Sequence, residues 1–168
     1  EIRKLNDIAQ KYNIKYQNKH KLDLVDEILS NVDVIPNSIV LAQAAIESGW
    51  GKSRFAKEYN ALFGEYTYDD SEGVIPLERE NGDTHLIKSF SSYSNSVESY
   101  FDNINSHYAY EDFRDIRNIM RERNNFSNVN LLVNKLSTYA EDENYIKTIR
   151  QVIKTNNFAI FDQKTISY

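Results

Sequence analysis

The segment "IPNSIVLAQAAIESGWGKSRF", Ile35 to Phe55, decides how the rest of the chain is read. Proline suits a first helical turn and glycine suits the residue just past the last one, so Pro36 and Gly49 bracket a helix. Between them the residues are small or apolar on nearly all sides, which puts this helix at the centre of a fold rather than on its surface. The run stops at a single acid, Glu47, followed by Gly49 and Gly51, two of only five glycines in the chain. A lone Glu before a glycine ordinarily marks a helix end in water, closed by a Schellman-type cap. The same place also suits a proton donor. Unsatisfied carbonyls at a helix end carry about half a negative charge, which disfavours an anion. Apolar neighbours such as Ile46 and Trp50 add desolvation, and both effects favour the protonated carboxyl that a general acid needs. The paired glycines give a sharp exit and keep side chains away from an approaching ligand.

Helical spacing flanks this segment on both sides. "EIRKLNDIAQKY" places Ile2, Leu5, Ile8, Ala9 and Tyr12 on one face, and "KLDLVDEILS" does the same with Leu22, Val25, Ile28 and Leu29. "GKSRFAKEY" forms a short further helix. From about Asn60 to Phe90 the character changes, with Gly64, Gly73, Pro76 and an Asn81-Gly82 pair between extended runs. Asn-Gly is a strong hairpin signal, and it predicts a small β-lobe over about residues 64–90. Helical patterns resume at Val97, Tyr100, Phe101 and Ile104, with Ser94 to Ser96 as capping candidates. They continue through Phe113, Ile116, Ile119 and Met120, then Leu131, Leu132 and Leu136, then Tyr145, Ile149, Val152 and Ile153. The tail from Phe158 shows no period and reads as irregular or extended. There is no internal repeat or linker. The expectation is one domain over residues 1–168, α+β and predominantly α-helical, with a small β-hairpin lobe.

Composition removes several function classes. A chain of 168 residues can bury a real core. Its 40% hydrophobic and 27% charged residues are ordinary for a globular protein. No apolar run reaches the ~18 residues of a membrane span. The net charge is −5 with basic residues scattered, which argues against nucleic acid as a partner. The absence of cysteine excludes disulfides, thiolate metal sites and a cysteine nucleophile. His20, His85 and His107 lack ligand spacing, so neither a metal nor another cofactor is expected. "YDDSEG", Tyr68 to Gly73, is acidic but fails the EF-hand spacing and reads as a solvated loop. No phosphate-binding glycine loop and no Gly-x-Ser-x-Gly elbow is present. The chain opens on Glu1 rather than methionine, which predicts a processed or trimmed form, so a missing signal peptide says nothing about secretion.

A glycosidase built on Glu47 needs a partner: a second carboxylate or the acetamido group of its own substrate. In "PLERENGDTH" an extended strand points Glu78 and Glu80 to one face. A two-residue Asn81-Gly82 turn pairs Glu80 with Asp83 and Glu78 with His85. The first pair sets like charges together, whereas His85 can orient Glu78. Glu78 is therefore the first choice and Glu80 the second, against a plain solvated hairpin face.

At this point the residues resemble a family. "LAQAAIESGWGKSRFAKEYNALFG", Leu41 to Gly64, is similar to the signature of bacterial glucosaminidases of glycoside hydrolase family 73. There a helix ending in Glu-Ser-Gly-Trp-Gly is followed by an Asn-x-Leu-Phe-Gly turn, matched here by Asn60, Leu62, Phe63 and Gly64. "FSSYSNSVESY" and "STYAEDENYIKTI" resemble two later motifs of the family. Within it, "GVIPLERENGDTHLIKSF" and "YFDNINSHYAYEDFR" look closest to the Bax-like proteins of Gram-negative bacteria. The likeness covers roughly Val34 to Phe158.

The resemblance implies a lysozyme-like fold with a substrate groove beside the β-lobe, and cleavage of the β-1,4 bond after N-acetylglucosamine in peptidoglycan. Glu47 matches the family's general acid, Glu78 less securely its second carboxylate, and Tyr139 a tyrosine near the scissile sugar. Trp50, Asn60, Phe63, Gly64, Tyr66 and Tyr68 are the expected substrate-binding residues. Ala61 departs from the pattern, standing where many relatives carry a second Asn. The implied partner is the peptidoglycan glycan strand, met by a monomer exported to the periplasm or cell envelope. Rival readings are a muramidase or lytic transglycosylase acting on the same polymer, and a non-catalytic glycan-binding domain.

Overall fold

Amphipathic spacing becomes helix along most of the chain, and the exceptions decide how the site is held. The computed structural model describes residues 2–76, 84–123, 128–140 and 142–164. The chain divides into two compact units, one made of Glu1–Ile39 with Asp102–Tyr168 and the other of Val40–Phe101. The divisions fall inside α3 (Asn37–Glu47) and α5 (Tyr93–Ser106).

In the first unit, α1 (Ile2–Lys11) and α2 (Lys21–Asn31) share a cluster of Ala9, Ile14, Leu24 and Ile28. The face of α2 differs from the sequence expectation. Leu22 and Leu29 are 65% and 63% exposed, while Leu24 and Ile28, four apart, point inward. α6 (Glu111–Glu122), α7 (Asn130–Val133) and α8 (Tyr145–Thr155) complete the unit, with 3-10 turns at Tyr108–Tyr110 and Asn134–Leu136. Phe113, Leu132, Val133, Leu136 and Ile149 are fully buried there.

Two arginines of α6 do work that apolar spacing hides. Arg117 is fully buried and donates to the carbonyls of Asn31 (2.7 Å) and Asp33 (3.1 Å) and to Asn105 Oδ1 (2.7 Å). Arg121 grips the Asp33 carboxylate with two hydrogen bonds. Together they pin the chain between α2 and α3.

The first seven residues of the tail are not irregular, contrary to the sequence expectation. Phe158–Lys164 forms a 3-10 helix that turns back on the start of α3. Buried Asp162 accepts from the Ser38 backbone N–H at 2.8 Å, and Asn37 Nδ2 donates to the Phe161 carbonyl at 3.1 Å. A carboxylate against the free N–H groups of a helix start acts as a cap delivered from distant sequence.

The second unit holds α4 (Arg54–Tyr59) and an antiparallel sheet of β1 (Tyr66–Thr67), β2 (Gly73–Val74) and β3 (Leu86–Lys88) in the order β1-β3-β2. The β-lobe is thus present, with Gly73 paired to Lys88 and Val74 to Ile87. The pairs drawn from sequence, Glu80 with Asp83 and Glu78 with His85, flank a two-residue Asn81-Gly82 turn. Residues 77–83, which carry that turn, lie outside the described residues. The start of α5 also shifts. Its side-chain cap is Ser92, whose Oγ accepts from the Asn95 N–H at 3.2 Å, and not one of Ser94 to Ser96.

Candidate active site

Glu47 is the last residue of α3, and the chain leaves it through a full Schellman cap. Trp50 N–H bonds the Ala45 carbonyl at 2.7 Å and Gly49 N–H bonds that of Ile46 at 3.2 Å. The glycine pair now has a mechanical reason. Gly49, Trp50 and Gly51 follow one another in the left-handed region with φ of 56°, 59° and 71°. Only the middle residue pays for a side chain there, at about 1–2 kcal/mol. Ser48 clasps the turn, its Oγ donating to the Ala44 carbonyl (2.5 Å) and accepting from Gly51 N–H (2.8 Å). The indole of Trp50 stands 55% exposed.

The carboxyl of half-buried Glu47 faces the Asn-x-Leu-Phe-Gly turn. A Cβ placed on Gly64 would lie 3.5 Å from Glu47 Oε2, so this glycine borders the acid. Gly64 also has φ of +64°, which L side chains rarely adopt. Two other side chains of the turn have partners within this unit. Asn60 closes α4 in a left-handed conformation, φ 53°, and its Nδ2 donates to the Phe90 carbonyl at 2.9 Å. Phe63 is 2% exposed and stacks on Tyr100 at 4.2 Å, so the expected direct sugar contact by this ring gives way to a supporting role. Ala61 is 3% exposed, so the departure from the family pattern is turned inward.

A polar set that sequence reading passed over underlies this turn. Gln43 is fully buried in the otherwise apolar α3 and accepts from Tyr100 Oη at 2.6 Å. A lone glutamine within an apolar helix was the available signal, because a buried amide must find a partner. Glu65, next to Gly64, accepts from Ser99 Oγ at 2.8 Å, and Lys88 Nζ reaches the same hydroxyl at 3.4 Å. These bonds tie β3 to α5 immediately beside the acid's turn.

Tyr66 and Tyr68 are 64% and 76% exposed, and Tyr66 stacks on His85 at 4.2 Å. His85, expected to orient Glu78, has its ring on Tyr66, and Glu78 and Glu80 lie outside the described residues. Tyr139 belongs to the first unit, between Tyr110 (6.2 Å) and Tyr145, on which it stacks at 5.8 Å and 3°. Glu47, Trp50, Asn60, Phe63, Gly64, Tyr66 and Tyr68 all belong to the second. Among the described residues no three His, Asp or Glu side chains group to hold a metal ion. None of the described helices is long and apolar enough to cross a membrane.

The fold is thus predominantly helical α+β with a small antiparallel sheet, and Glu47 closes α3 beside the turn that holds Gly64. The family model described as mannosyl-glycoprotein endo-beta-N-acetylglucosaminidase matches residues 22–158, and this chain belongs to that glucosaminidase family. It is 34% identical over 137 residues to protein Bax of Escherichia coli K12, a match covering 82% of this chain and 48% of that protein. It is 34% identical over 92 residues to the peptidoglycan hydrolase FlgJ of Escherichia coli O157:H7, covering 49% of this chain and 29% of that protein. The chain therefore spans half or less of the length of these relatives. Among solved structures, the catalytic domain of the autolysin Auto from Listeria monocytogenes shares the fold. The TM-score is 0.55 at 19% identity, over 94% of this chain and 85% of that one.

Proposed function

We propose that this chain is a peptidoglycan hydrolase, an endo-β-1,4-N-acetylglucosaminidase in which Glu47 is the general acid. Membership of the glucosaminidase family supports the reaction class, and the relatives that include a peptidoglycan hydrolase support the polymer. One observation carries the assignment of the acid: Glu47 sits at the carbonyl end of α3 and borders Gly64, where even an added Cβ would stand 3.5 Å from its Oε2. The helix end disfavours the anion and the glycine leaves an approach to the oxygen.

In the reaction, protonated Glu47 gives its proton to the leaving glycosidic oxygen as the bond to the anomeric carbon breaks. A water, or the acetamido oxygen of the substrate itself, attacks that carbon. Glu78 assists as second carboxylate, with Glu80 as the alternative. A separation of about 6.5–9.5 Å between the two carboxyls favours inversion, and about 5–5.5 Å favours retention. Tyr139 steadies the developing oxocarbenium charge or orients the acetamido group. Trp50, Tyr66 and Tyr68, all exposed, offer flat faces to sugar rings. The protein acts outside the cytoplasm, at the periplasm or cell envelope, as a monomer.

The test is digestion of purified peptidoglycan followed by mass spectrometry of the new ends. Reducing N-acetylglucosamine ends are expected. Reducing or anhydro N-acetylmuramic ends would instead make the chain a muramidase or lytic transglycosylase, and no new ends at all would leave a glycan-binding domain.

A further inference from the structure

The first unit has a second place suited to sugar, whose lining includes Thr138, the chain neighbour of Tyr139, and none of the residues assigned above. A depression of about 240 Å³ lies between the start of α6 and the turn that follows α7. Tyr108 stands at its edge 81% exposed, and the ring is backed by His107 at 4.4 Å. Such backing holds an aromatic face in place before a ligand arrives, which lowers the ordering cost of binding. The two walls are tied together. Lys135 Nζ pairs with Asp112 at 2.8 Å, and Thr138 Oγ1 reaches the Ala109 carbonyl at 3.4 Å.

The polar lining is arranged for hydroxyl and amide groups. Asn134 Oδ1 accepts from the Arg150 guanidinium, which leaves its Nδ2 hydrogens as donors. Glu111 carries an acceptor and Ser137 a hydroxyl on the same lining. The Glu111 and Asp112 carboxylates are balanced by the Lys135 ammonium and by the Arg150 guanidinium held on Asn134, so the depression favours neither an anion nor a cation. An apolar ligand would leave these polar groups unpaired. What fits is a neutral ring with one flat C–H face and polar groups around its rim.

We propose that this depression is a saccharide subsite that takes an N-acetylhexosamine ring, its flat face on Tyr108 and its hydroxyl and acetamido groups on Asp112, Asn134 and Ser137. The choice of sugar rests on the peptidoglycan reading of the chain. The subsite gives the protein a hold on a glycan strand that does not depend on Glu47.

NMR titration of the full Glu47→Gln chain with chitotetraose tests it, with maltotetraose as the control sugar. Saturable shifts are expected at the amides of Tyr108, Ala109, Lys135 and Thr138 with chitotetraose alone. Tyr108→Ala is expected to weaken that set about five-fold, the size of one lost aromatic contact, while leaving shifts around Trp50 in place. Tyr108→Phe is expected to retain it. No saturable shift at those amides, equal shifts with maltotetraose, or an affinity indifferent to Tyr108→Ala would overturn the proposal. Wild-type digestion keeps the two readings apart. Cleavage to N-acetylglucosamine ends without those shifts defeats the subsite alone, whereas shifts without cleavage defeat the hydrolase reading and leave the subsite standing.

Discussion

At the scale of single residues, Trp50 shows most clearly a residue kept against its local cost. Its left-handed backbone, φ 59°, costs about 1–2 kcal/mol that glycine would not incur. Trp50→Gly is therefore expected to unfold within about 1 kcal/mol of wild type, since relief of strain offsets the lost ring contacts. If the ring stacks on sugar, the same change raises KM for glycan about five- to ten-fold, read by steady-state kinetics on soluble fragments. An unchanged KM would make the ring a packing element only. Tyr12 gives a pH signature of a different kind. Burial first, then the hydrogen bond and charge of Asp102, raises its hydroxyl above the ordinary value. With the folded value raised, the stability it contributes is complete below the unfolded value of about 10 and is lost as pH rises through the folded one. Tyr12→Phe should flatten that alkaline loss in denaturant titrations, and an unaltered slope would remove Tyr12 as its source. Sequence singles out Glu47 because helix end, acid and glycines are contiguous, and the structure places it as the last residue of α3. Phe63 was less legible, because an aromatic in a sugar-binding motif looks the same whether its ring faces ligand or Tyr100.

Elements were legible where one period governs a segment and less so where a partner from elsewhere decides. Helices formed where apolar spacing called for them, but the spacing did not always pick the buried face: Ile8 of α1 and Ile119 of α6 are exposed. The inward face of α2 was misread because Leu22, Leu24, Val25, Ile28 and Leu29 offer two overlapping stripes, and only packing against Ala9 and Ile14 selects one. The tail was misread because its order comes from contacts with α3 rather than from its own period. Asp162→Ala is accordingly expected to cost about 1 kcal/mol in thermal or chemical denaturation, the usual loss of a helix cap. The sheet makes a sharper demand at Gly73, where an added Cβ would stand 2.5 Å from Leu86 Cβ and 2.7 Å from Thr67 Cγ2. Gly73→Ala should part β2 from β3 and cost about 1–3 kcal/mol by overpacking. Amide exchange would register it as lost protection at Leu86 to Lys88. Retained protection there would show that the sheet adjusts.

For the whole molecule, family and fold class were readable because several motifs recur in order along most of the chain. The devices that hold the first unit together were not. Arg117 reads as a polar position of α6, yet burial drives its guanidinium down to about 10 while the charge of Asp33 pulls it back up. It remains protonated at neutral pH, so Arg117→Met would strip donors from Asn31, Asp33 and Asn105 at once. A loss of about 3 kcal/mol or more is expected from chemical denaturation. Lysine would not rescue it, because a single ammonium cannot span the fork. Stability close to wild type would show that those acceptors find water instead. The hydrolase reading stands or falls on the acid at the end of α3. The measurement that reaches it most directly is the rate at which Glu47→Gln, matched to wild type in folded content, solubilises purified peptidoglycan. The predicted result is a fall of about 10²–10⁴-fold, the contribution of a general acid. A variant as fast as wild type would contradict the account at its centre.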